Sequence, residues 1–511
     1  MCRPASRQQP RVVEPGASTI TDAWKTQRVD GPALPDWAGH YVGLLLPCFE
    51  ALKYKMGLGP KTLSCWCDCG GMGTETLAMS TIADVIRDRA QLDLSINVEC
   101  FCDTNAHCRT FAGANIKPKH IAHDIYARDF QAGTYFCDVH QQEHTWPKRT
   151  DIYVCCFPCG PWSVRGKRLG FNDACGQVVW QAIHTVKALK PAMWFMENVL
   201  AIDHNVGGGE SALGNIQEKM ALELPDMHMM VLRHIDPCHC GFPTRRDRIG
   251  LVGVRQDLVP REALTHAFSA VLAAPMQLSC DYRTFVGRTT AIDLARVGER
   301  PTPEERLHML QSPCTCAFDP RVQCSSHPCR CTHCKSSNVG RCEWRDKHAD
   351  YIKKTYATDV MLYKDIIDLA ATLLSYTAVV EKQGVALPQS QRERNMINIL
   401  AAHLSLKPLT LTNAIMDKEH TITRAAFRVD GLMPTLVVNS SMFSFRDADT
   451  LGTAEVAKLM GHDIGNLDLT GISERQFRHM LGMSLHKSVA GLLVIGLMAA
   501  LGGPPSPSRG L

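Results

Sequence analysis

An alternation of strand and helix patterns runs from Leu63 to about Arg255 and constrains the fold more than any other feature. The first unit, LSCWCDCGGMGTETLAMSTIADVIRD, is an apolar strand followed by a glycine turn and a helix, and later strand-length apolar runs repeat this scheme. Strands that alternate with helices form parallel sheets with right-handed crossovers. The pattern therefore predicts an α/β fold with helices on both faces of the sheet.

Composition limits the class of protein. The chain has 511 residues, 45% of them hydrophobic and 21% charged, which is typical of a globular protein of two or three domains. A net charge of +4 means that any nucleic-acid surface must come from local clusters of Lys and Arg. The 23 cysteines and the lack of an apolar amino-terminal stretch favour reduced thiols or metal ligands inside the cell. The most apolar run, residues 488–501, is too short to span a bilayer, so we expect a buried helix.

The stretch DIYVCCFPCGPWSVRGKRLGF, residues 151–171, carries the first candidate for chemistry. Its apolar start is typical of a buried strand, which Pro158 ends because proline cannot donate a ladder hydrogen bond. Cys159 is then expected at the carboxyl edge of a sheet, where α/β proteins bind ligands. Cationic residues follow it and favour a thiolate nucleophile, although a small buried hydrophobe is the alternative.

The turn Cys69–Glu75 is the second candidate, since Gly71 and Gly73 let a ligand approach the backbone. Tight strand–helix packing explains such glycines equally well. Asp103 follows the next strand, where an acidic residue reads the ribose hydroxyls of a nucleotide-type cofactor, with Glu99 as its competitor. Asp124 is either an acceptor for an adenine amino group or a helix N-cap.

A third group follows two later strands. Glu197 lies in the run WFMENV, and burial there should raise its pKa, with a structural salt bridge as the alternative. Arg246 and Arg248 are two residues apart before the run IGLVGV and project to the same side, which suits an anionic or carbonyl ligand. A solvated strand edge is the other interpretation.

Taken in chain order, these motifs resemble the DNA (cytosine-5) methyltransferase family over about residues 63–253 and 425–500. The residues 151–171 resemble its nucleophile motif, WFMENV its Glu-Asn-Val motif, PTRRDRIGLVG its Gln-x-Arg-x-Arg motif, and LGMSLHKSVAGL its tenth motif. The chain departs from the family at Cys69, Gly160, Thr244 and Met483, where Phe, Gln, Gln and Asn are usual.

The resemblance implies a Rossmann-like class I methyltransferase sheet with a smaller, irregular target-recognition domain. It implies methyl transfer from S-adenosylmethionine to C5 of a flipped cytosine in double-stranded DNA, through a covalent adduct with Cys159. The residues implied in catalysis are Cys159, Glu197, Arg246 and Arg248. Those implied in cofactor binding are Gly71, Met72, Gly73, Asp103, Asp124, Ile125, Pro158 and Ser484.

The same resemblance divides the chain. We expect a disordered segment at 1–35, the catalytic and cofactor-binding domain at 36–255, and the target-recognition domain at 256–420. Residues 421–501 are expected to rejoin the catalytic domain, and 502–511 to form a disordered tail.

The target-recognition segment is rich in cysteine and in basic residues. Its cysteine density is compatible with one zinc site, or two at most, but no spacing fits a standard finger and cysteine-rich loops without metal also occur. The residues concerned are Cys314, Cys316, Cys324, Cys329, Cys331, Cys334 and Cys342, with His327 and His333. Basic residues of the same segment suit phosphate contact, namely Arg321, Arg330, Lys335, Arg341, Arg345, Lys347 and His348.

Two other functions compete with this one. A tRNA cytosine-5 methyltransferase would use the same scaffold, but the Cys-Phe-Thr signature of that branch is missing from the target-recognition segment. A catalytically inactive nucleic-acid-binding homologue would have no reason to keep Cys159, Glu197 and Arg248 together. We expect a monomeric intracellular enzyme with no membrane association, nuclear if its source is eukaryotic.

Overall fold

The computed structural model describes residues 22–503, apart from Leu58 and residues 148–149, 164–165, 205–210, 290, 300, 305–346, 349, 352–353, 355–374, 388–389, 407–410 and 423–425. The predicted cysteine-rich stretch and most of the basic residues named with it lie outside the described residues. So do residues 1–21 and 504–511 of the two predicted disordered segments.

A seven-stranded sheet occupies the centre of the protein, with the strand order β3-β2-β1-β6-β7-β9-β8. Its strands are β1 (Lys61–Asp68), β2 (Leu94–Cys102), β3 (His120–Ala122), β6 (Ile152–Cys155), β7 (Met193–Val199), β8 (Met227–Ile235) and β9 (Arg248–Arg255). All neighbours are parallel except β9, which is antiparallel to both β7 and β8. The strand order reverses between β1 and β6, and ligands of open α/β sheets bind at such a reversal.

Helices cover both faces of this sheet, so the predicted α/β class is confirmed. One core contains residues of α1 (Trp37–Leu44), α2 (Leu46–Met56), α3 (Thr74–Ala90), α4 (Ala106–Asn115), α7 (Arg261–Ala273) and α13 (Lys487–Gly502). A second core, on the other face, contains residues of α5 (Val178–Leu189) and α6 (Ala212–Glu223). A short hairpin of β4 (Thr134–Cys137) and β5 (Gln142–Thr145) follows β3.

The structure differs from the expectation at two places near the amino terminus. Apolar residues at helical spacing from Asp36 to Met56, followed by Gly57, predict one helix, whereas α1 ends at Leu44 and α2 begins at Leu46. Pro47 explains the break, because proline has no N–H for the preceding helix and fits the first turn of a new one. Residues 22–35 were expected to be disordered, but Trp24 is buried and its ring stacks on that of Phe477 at 5.5 Å.

The carboxyl-terminal helix α13 is buried along nearly its whole length. It packs against α2, α3 and α7 and contacts β7 and β9, as expected of a segment that rejoins the sheet. Within the described residues no single helix is long and apolar enough to span a membrane. Only the bent pair of α12 (Glu474–Met483) and α13 passes that test by length and composition.

A smaller region has its own core and its own four-stranded antiparallel sheet, ordered β11-β10-β12-β13. It is less irregular than expected. Its elements are α8 (Tyr282–Phe285), α9 (Tyr376–Lys382), α10 (Gln391–Leu406), β10 (Ile415–Asp417), β11 (Phe427–Arg428), β12 (Met442–Ser444) and β13 (Asp449–Thr450). Helix α11 (Thr453–Leu459) then leads back to the large sheet domain.

Candidate active site

The glycine turn lies between β1 and α3, and three of its residues have left-handed backbones. Their φ angles are 50° at Cys69, 53° at Gly71 and 65° at Gly73. A Cβ built on Gly71 meets no described heavy atom within 4 Å, so the turn presents open backbone there. Trp66 would begin this motif if its register were moved at the loss of one glycine, but Trp66 is buried in the second core, where its ring stacks on that of Trp146. The geometry therefore favours the register that begins at Cys69.

Asp103, rather than Glu99, faces this turn. Its Oδ2 accepts a hydrogen bond from the Gly71 amide at 2.8 Å, and its Oδ1 accepts one from the Asn105 amide at 2.8 Å. Burial raises the pKa of the Asp103 carboxyl, while the two backbone donors act in the opposite direction. Glu99 instead forms an ion pair with Lys119, whose Nζ is 3.4 Å from Oε2. Adjacent parallel strands β1 and β2 thus bring the glycine turn and Asp103 together.

The other residues implied in cofactor binding are less exposed to a ligand. Asp124 caps a 3-10 turn and accepts from the Tyr126 amide at 2.9 Å, so the N-cap interpretation describes its observed contact. Met72 and Ile125 are buried in the two cores, which leaves mainly their backbone for a ligand. Ser484 is also buried, and its hydroxyl donates to the Leu481 carbonyl at 3.0 Å.

Cys159 is exposed just beyond β6, as the sequence predicts. Pro158, which is half-buried, separates it from the buried strand. The Cys159 carbonyl accepts from the amides of Trp162 at 3.0 Å and Ser163 at 2.9 Å, which closes a tight turn behind the thiol. Because β6 pairs with β1 on one side and β7 on the other, the strand that leads to this thiol lies between the strand that leads to the glycine turn and the strand that carries Glu197.

Asn198 ties the ends of β6 and β7 together. Its Nδ2 donates to the Phe157 carbonyl at 3.0 Å, and its Oδ1 accepts from the Val199 amide at 2.9 Å. The backbone two residues before Cys159 is therefore held against the strand that carries Glu197. This contact gives a physical reason for an amide next to the carboxylate in the run WFMENV.

Glu197 and Arg248 form a buried ion pair across β7 and β9. The distance from Arg248 Nε to Glu197 Oε1 is 2.7 Å, and the two side chains are 7% and 10% exposed. Burial raises the pKa of the Glu197 carboxyl, and Arg248 and then Arg246 partly offset that rise. The Glu197 carboxyl therefore takes up a proton more readily than a solvated carboxyl does.

Arg246 occupies a different position from Arg248. Its Nη1 donates to the Leu436 carbonyl, and its Nη2 donates to the carbonyls of Gly482 and Ser484. Burial, followed by the charge of Arg248, lowers the pKa of Arg246 to about 9. Arg246 therefore joins the carboxyl-terminal motifs to the catalytic sheet, and it fits a positioning role better than contact with a substrate.

Glu75, in the first turn of α3, received no role from the sequence. It is 1% exposed, and its Oε1 accepts from the Cys67 thiol at 2.9 Å. Burial raises the pKa of Glu75 to about 7. The only sequence signal was its position directly after the glycine turn, where a carboxylate also stabilises a helix start.

Part of the predicted cationic loop after Cys159 is described. Lys167 and Arg168 are exposed, whereas Arg165 lies outside the described residues.

The structure also shows the surroundings of two residues at which the chain departs from the family pattern. The Thr244 hydroxyl donates to the Leu459 carbonyl at 2.8 Å in the interior, and Met483 is 39% exposed.

Comparison with known proteins agrees with this geometry. Residues 104–281 match the model of the C-5 cytosine-specific DNA methylase family. The resemblance to DNA (cytosine-5) methyltransferases is confirmed. The matched residues include Asp124, Cys159, Glu197, Arg246 and Arg248, while the glycine turn, Asp103 and Ser484 lie outside them.

The chain is similar to several bacterial methyltransferases of this family. It is 31% identical to the type II methyltransferase M.PspPI of Psychrobacter sp. over 116 residues, which is 22% of this chain and 27% of that protein. It is 30% identical to M.HhaI of Haemophilus parahaemolyticus over 138 residues, which is 27% of this chain and 40% of that protein. The chain thus spans well under half the length of these relatives.

Among solved structures, DNMT2 of Spodoptera frugiperda is similar over 85% of this chain and 99% of that chain, with 14% identity and a TM-score of 0.38.

Proposed function

We propose that the protein is a DNA (cytosine-5) methyltransferase that acts on a cytosine flipped out of double-stranded DNA. The observation that carries this proposal is the position of one exposed thiol, Cys159, just beyond the strand that lies between those leading to the glycine turn and to the buried Glu197–Arg248 pair. The match of residues 104–281 to the family supports the same reaction.

Cys159 supplies the nucleophile. Cytosine C5 is a weak nucleophile, and addition of a thiolate to C6 converts the ring into an enamine. A bond forms between Cys159 Sγ and C6, and the displaced electron pair makes C5 reactive. After C5 has gained a methyl group, it loses its proton, the C6–S bond breaks, and the thiolate is restored. The net products are 5-methylcytosine, the demethylated donor and one proton.

Glu197 and Arg248 control the charge that develops on the ring. A carboxyl whose pKa is raised by burial can hold a proton at N3 while the ring gains electron density. Arg248, fixed to Glu197, offers its remaining N–H groups to the O2 carbonyl. Both roles require the pair to stay out of water, as its low exposure allows.

The residues around the glycine turn fit S-adenosylmethionine. Gly71 leaves open backbone for a ligand, and the buried Asp103 carboxylate has lone pairs free for ribose hydroxyls beside its two backbone donors. Asp124 lies after the third strand, where its carboxylate would accept from the adenine amino group. S-adenosylmethionine, when bound there, supplies an activated methyl group. Met72, Gly73, Ile125, Pro158 and Ser484 remain proposed neighbours of the cofactor.

The DNA would lie across the carboxyl edge of the sheet, because base flipping must deliver the cytosine to Cys159. Lys167 and Arg168 are exposed beside that edge and can contact phosphates. We propose that the target-recognition domain comprises most of residues 256–420 and that the protein works as a monomer. Two of the expected boundaries need correction, because α7 packs in the core of the sheet domain and strands β11 to β13 of the smaller region lie beyond residue 420. Trp24, expected in a disordered segment, packs on the folded protein. A DNA substrate also implies a nuclear location if the source is eukaryotic.

Cys159→Ser tests the proposed reaction most directly. We expect loss of methyl transfer from tritiated S-adenosylmethionine to DNA, with cofactor and duplex binding retained, because only the nucleophile is removed. DNA that contains 5-fluorocytosine should trap a denaturant-resistant adduct with the wild type and not with this variant. Cys175→Ser, which alters another exposed cysteine, is the matched control and should behave as wild type.

Two results would contradict the proposal. Methyl transfer by Cys159→Ser above one tenth of the wild-type rate would exclude Cys159 as the nucleophile. Methyl incorporation into tRNA but not into DNA, located by bisulfite sequencing of both, would show that RNA rather than DNA is the substrate.

A variant with Arg330, Lys335 and Arg341 neutralised should bind DNA more weakly and with a smaller dependence on salt.

A further inference from the structure

Four potential metal ligands meet beside the edge of the sheet, outside the catalytic site. His120 belongs to β3, Cys137 ends β4, His140 lies in the hairpin turn, and His144 belongs to β5. Their ligand atoms, one from each side chain, all lie within 4.8 Å of one another. The cluster therefore joins β3 to both strands of the hairpin.

The spacing is close to that of a tetrahedral zinc site. With Zn–N and Zn–S bonds of about 2.0–2.3 Å, tetrahedral ligand atoms lie roughly 3.3–3.8 Å apart. The Cys137 thiol and His140 Nδ1 are already 3.4 Å apart. The rings of His120 and His144 have centroids 4.4 Å apart, and each of these rings is 5.0 Å from that of His140. Small side-chain rotations would complete the geometry.

A second observation also indicates a missing ligand. His120 is 7% exposed, and its Nδ1 is buried without a hydrogen-bond partner among the described residues. Buried polar atoms without a partner are rare in native proteins, because such an atom loses its hydrogen bonds to water and gains none in return. A metal ion at the centre of the cluster would give a ring nitrogen of this histidine the partner that it lacks.

We propose that His120, Cys137, His140 and His144 together bind one zinc ion. Three imidazoles and one thiolate are ligands that zinc prefers, and four protein ligands make the closed coordination of a structural rather than a catalytic site. The spacing Cys-x-x-His-x-x-x-His within the hairpin is the sequence signal for this zinc site. This site is separate from the cysteines of residues 314–342.

The zinc ion would stabilise the proposed cofactor site through a chain of contacts. Asp138 follows Cys137 directly, its amide donates to the Ile121 carbonyl at 2.7 Å, and its Oδ2 is 3.2 Å from Arg109 Nε. Arg109 in turn donates to the Asp103 carbonyl at 2.8 Å. Fixing the hairpin therefore fixes a chain of contacts that ends at Asp103.

Zinc content per chain is the first test, and it does not depend on enzymatic activity. His144→Ala and Cys137→Ser should each hold one equivalent of zinc less than the wild type. His266→Ala and Cys175→Ser alter an exposed histidine and an exposed cysteine elsewhere and should hold as much as the wild type. Because residues 314–342 are cysteine-rich, the difference between variants is the measurement, not the total. Equal zinc content in all five proteins would overturn the proposal.

A rescue variant separates loss of ligand from loss of fold. His144→Cys keeps four ligands, so it should bind the equivalent of zinc that His144→Ala lacks. With cobalt in place of zinc, it should add a second thiolate-to-cobalt charge-transfer contribution at this site. Failure of His144→Cys to hold more metal than a folded His144→Ala would count against the site.

A measurement on the wild type needs no substitution. His140 is exposed, so diethyl pyrocarbonate should modify it in protein stripped of metal by a chelator and not in zinc-loaded protein. His266 is the internal reference and should react equally in both. Equal modification of His140 in the stripped and zinc-loaded protein would show that zinc does not bind there.

Discussion

Replacement of Arg248 by methionine should make the stability of the protein depend on pH in a way that identifies Glu197 as its partner. The pair is nearly excluded from water, with a separation of 2.7 Å between Arg248 Nε and Glu197 Oε1. Removing one partner of a buried ion pair costs about 3–5 kcal/mol, since it leaves an uncompensated charge. That cost falls on the ionised carboxyl, so loss of Arg248 should raise the pKa of Glu197 beyond its value in the wild type.

The carboxyl can avoid this cost by taking up a proton, which sets the sign of the pH dependence. The pKa of Glu197 is already raised by burial, and loss of Arg248 raises it further. A raised carboxyl pKa leaves stability intact below the unfolded value of about 4.3 and removes it as pH rises through the folded value. The Arg248→Met variant should therefore lose little stability relative to the wild type at pH 5 and clearly more at pH 8, with about 3–5 kcal/mol as the limit once the buried carboxyl is forced to ionise.

Urea unfolding followed by circular dichroism, at both pH values, measures these losses relative to the wild type. The double variant Glu197→Gln/Arg248→Met should recover most of the loss at pH 8, because the buried carboxylate that lost its partner is removed as well. Glu197→Gln alone provides the remaining corner of the cycle. An Arg248→Met loss that is the same at pH 5 and pH 8, or a double variant no more stable than Arg248→Met, would refute the reasoning.

Three further predictions follow from the same structure. Asp103→Ala should weaken S-adenosylmethionine binding by about 1–3 kcal/mol in calorimetry, and Glu99→Ala should leave it unchanged. The reverse result would show that Glu99 rather than Asp103 binds the cofactor. Gly70→Ala should destabilise the fold by about 1–3 kcal/mol, because its Cβ would lie 2.3 Å from the Phe101 ring, so unchanged thermal unfolding would contradict the packing. Asp68→Asn should cost about 3–5 kcal/mol in urea unfolding, since Asp68 is the buried partner of Arg128, and a loss below 1 kcal/mol would show that the pair is dispensable.

The sequence by itself determined most strands and helices of the large sheet domain and their order. Apolar periodicity separated strands from helices, and glycine and proline marked where they end, because these signals depend only on residues close together in the chain. The position of Cys159 at a strand end followed from Pro158 in this way. The motifs also indicated a resemblance to the DNA (cytosine-5) methyltransferases, and the match of residues 104–281 to the C-5 cytosine-specific DNA methylase model confirms that resemblance.

Local pattern was less successful where packing overrides it. A helical pattern from Asp36 to Met56 could not show that Pro47 would start a second helix. Likewise, the polar and proline-rich amino-terminal segment gave no sign that Trp24 would find a buried position against Phe477. In both cases the deciding contact lies outside the window that a pattern covers.

Only the tertiary structure determined which contacts each site residue makes. Arg246 and Arg248 look equivalent in the sequence, yet Arg248 contacts Glu197 while Arg246 binds carbonyl groups about two hundred residues further along the chain. Burial raised the pKa of Glu75, which no neighbour in the sequence foretells. His120 likewise meets the hairpin cysteine and histidines only because β3, β4 and β5 fold together. Such properties depend on which distant groups surround a side chain and exclude water from it, and the chain acquires them only when it folds.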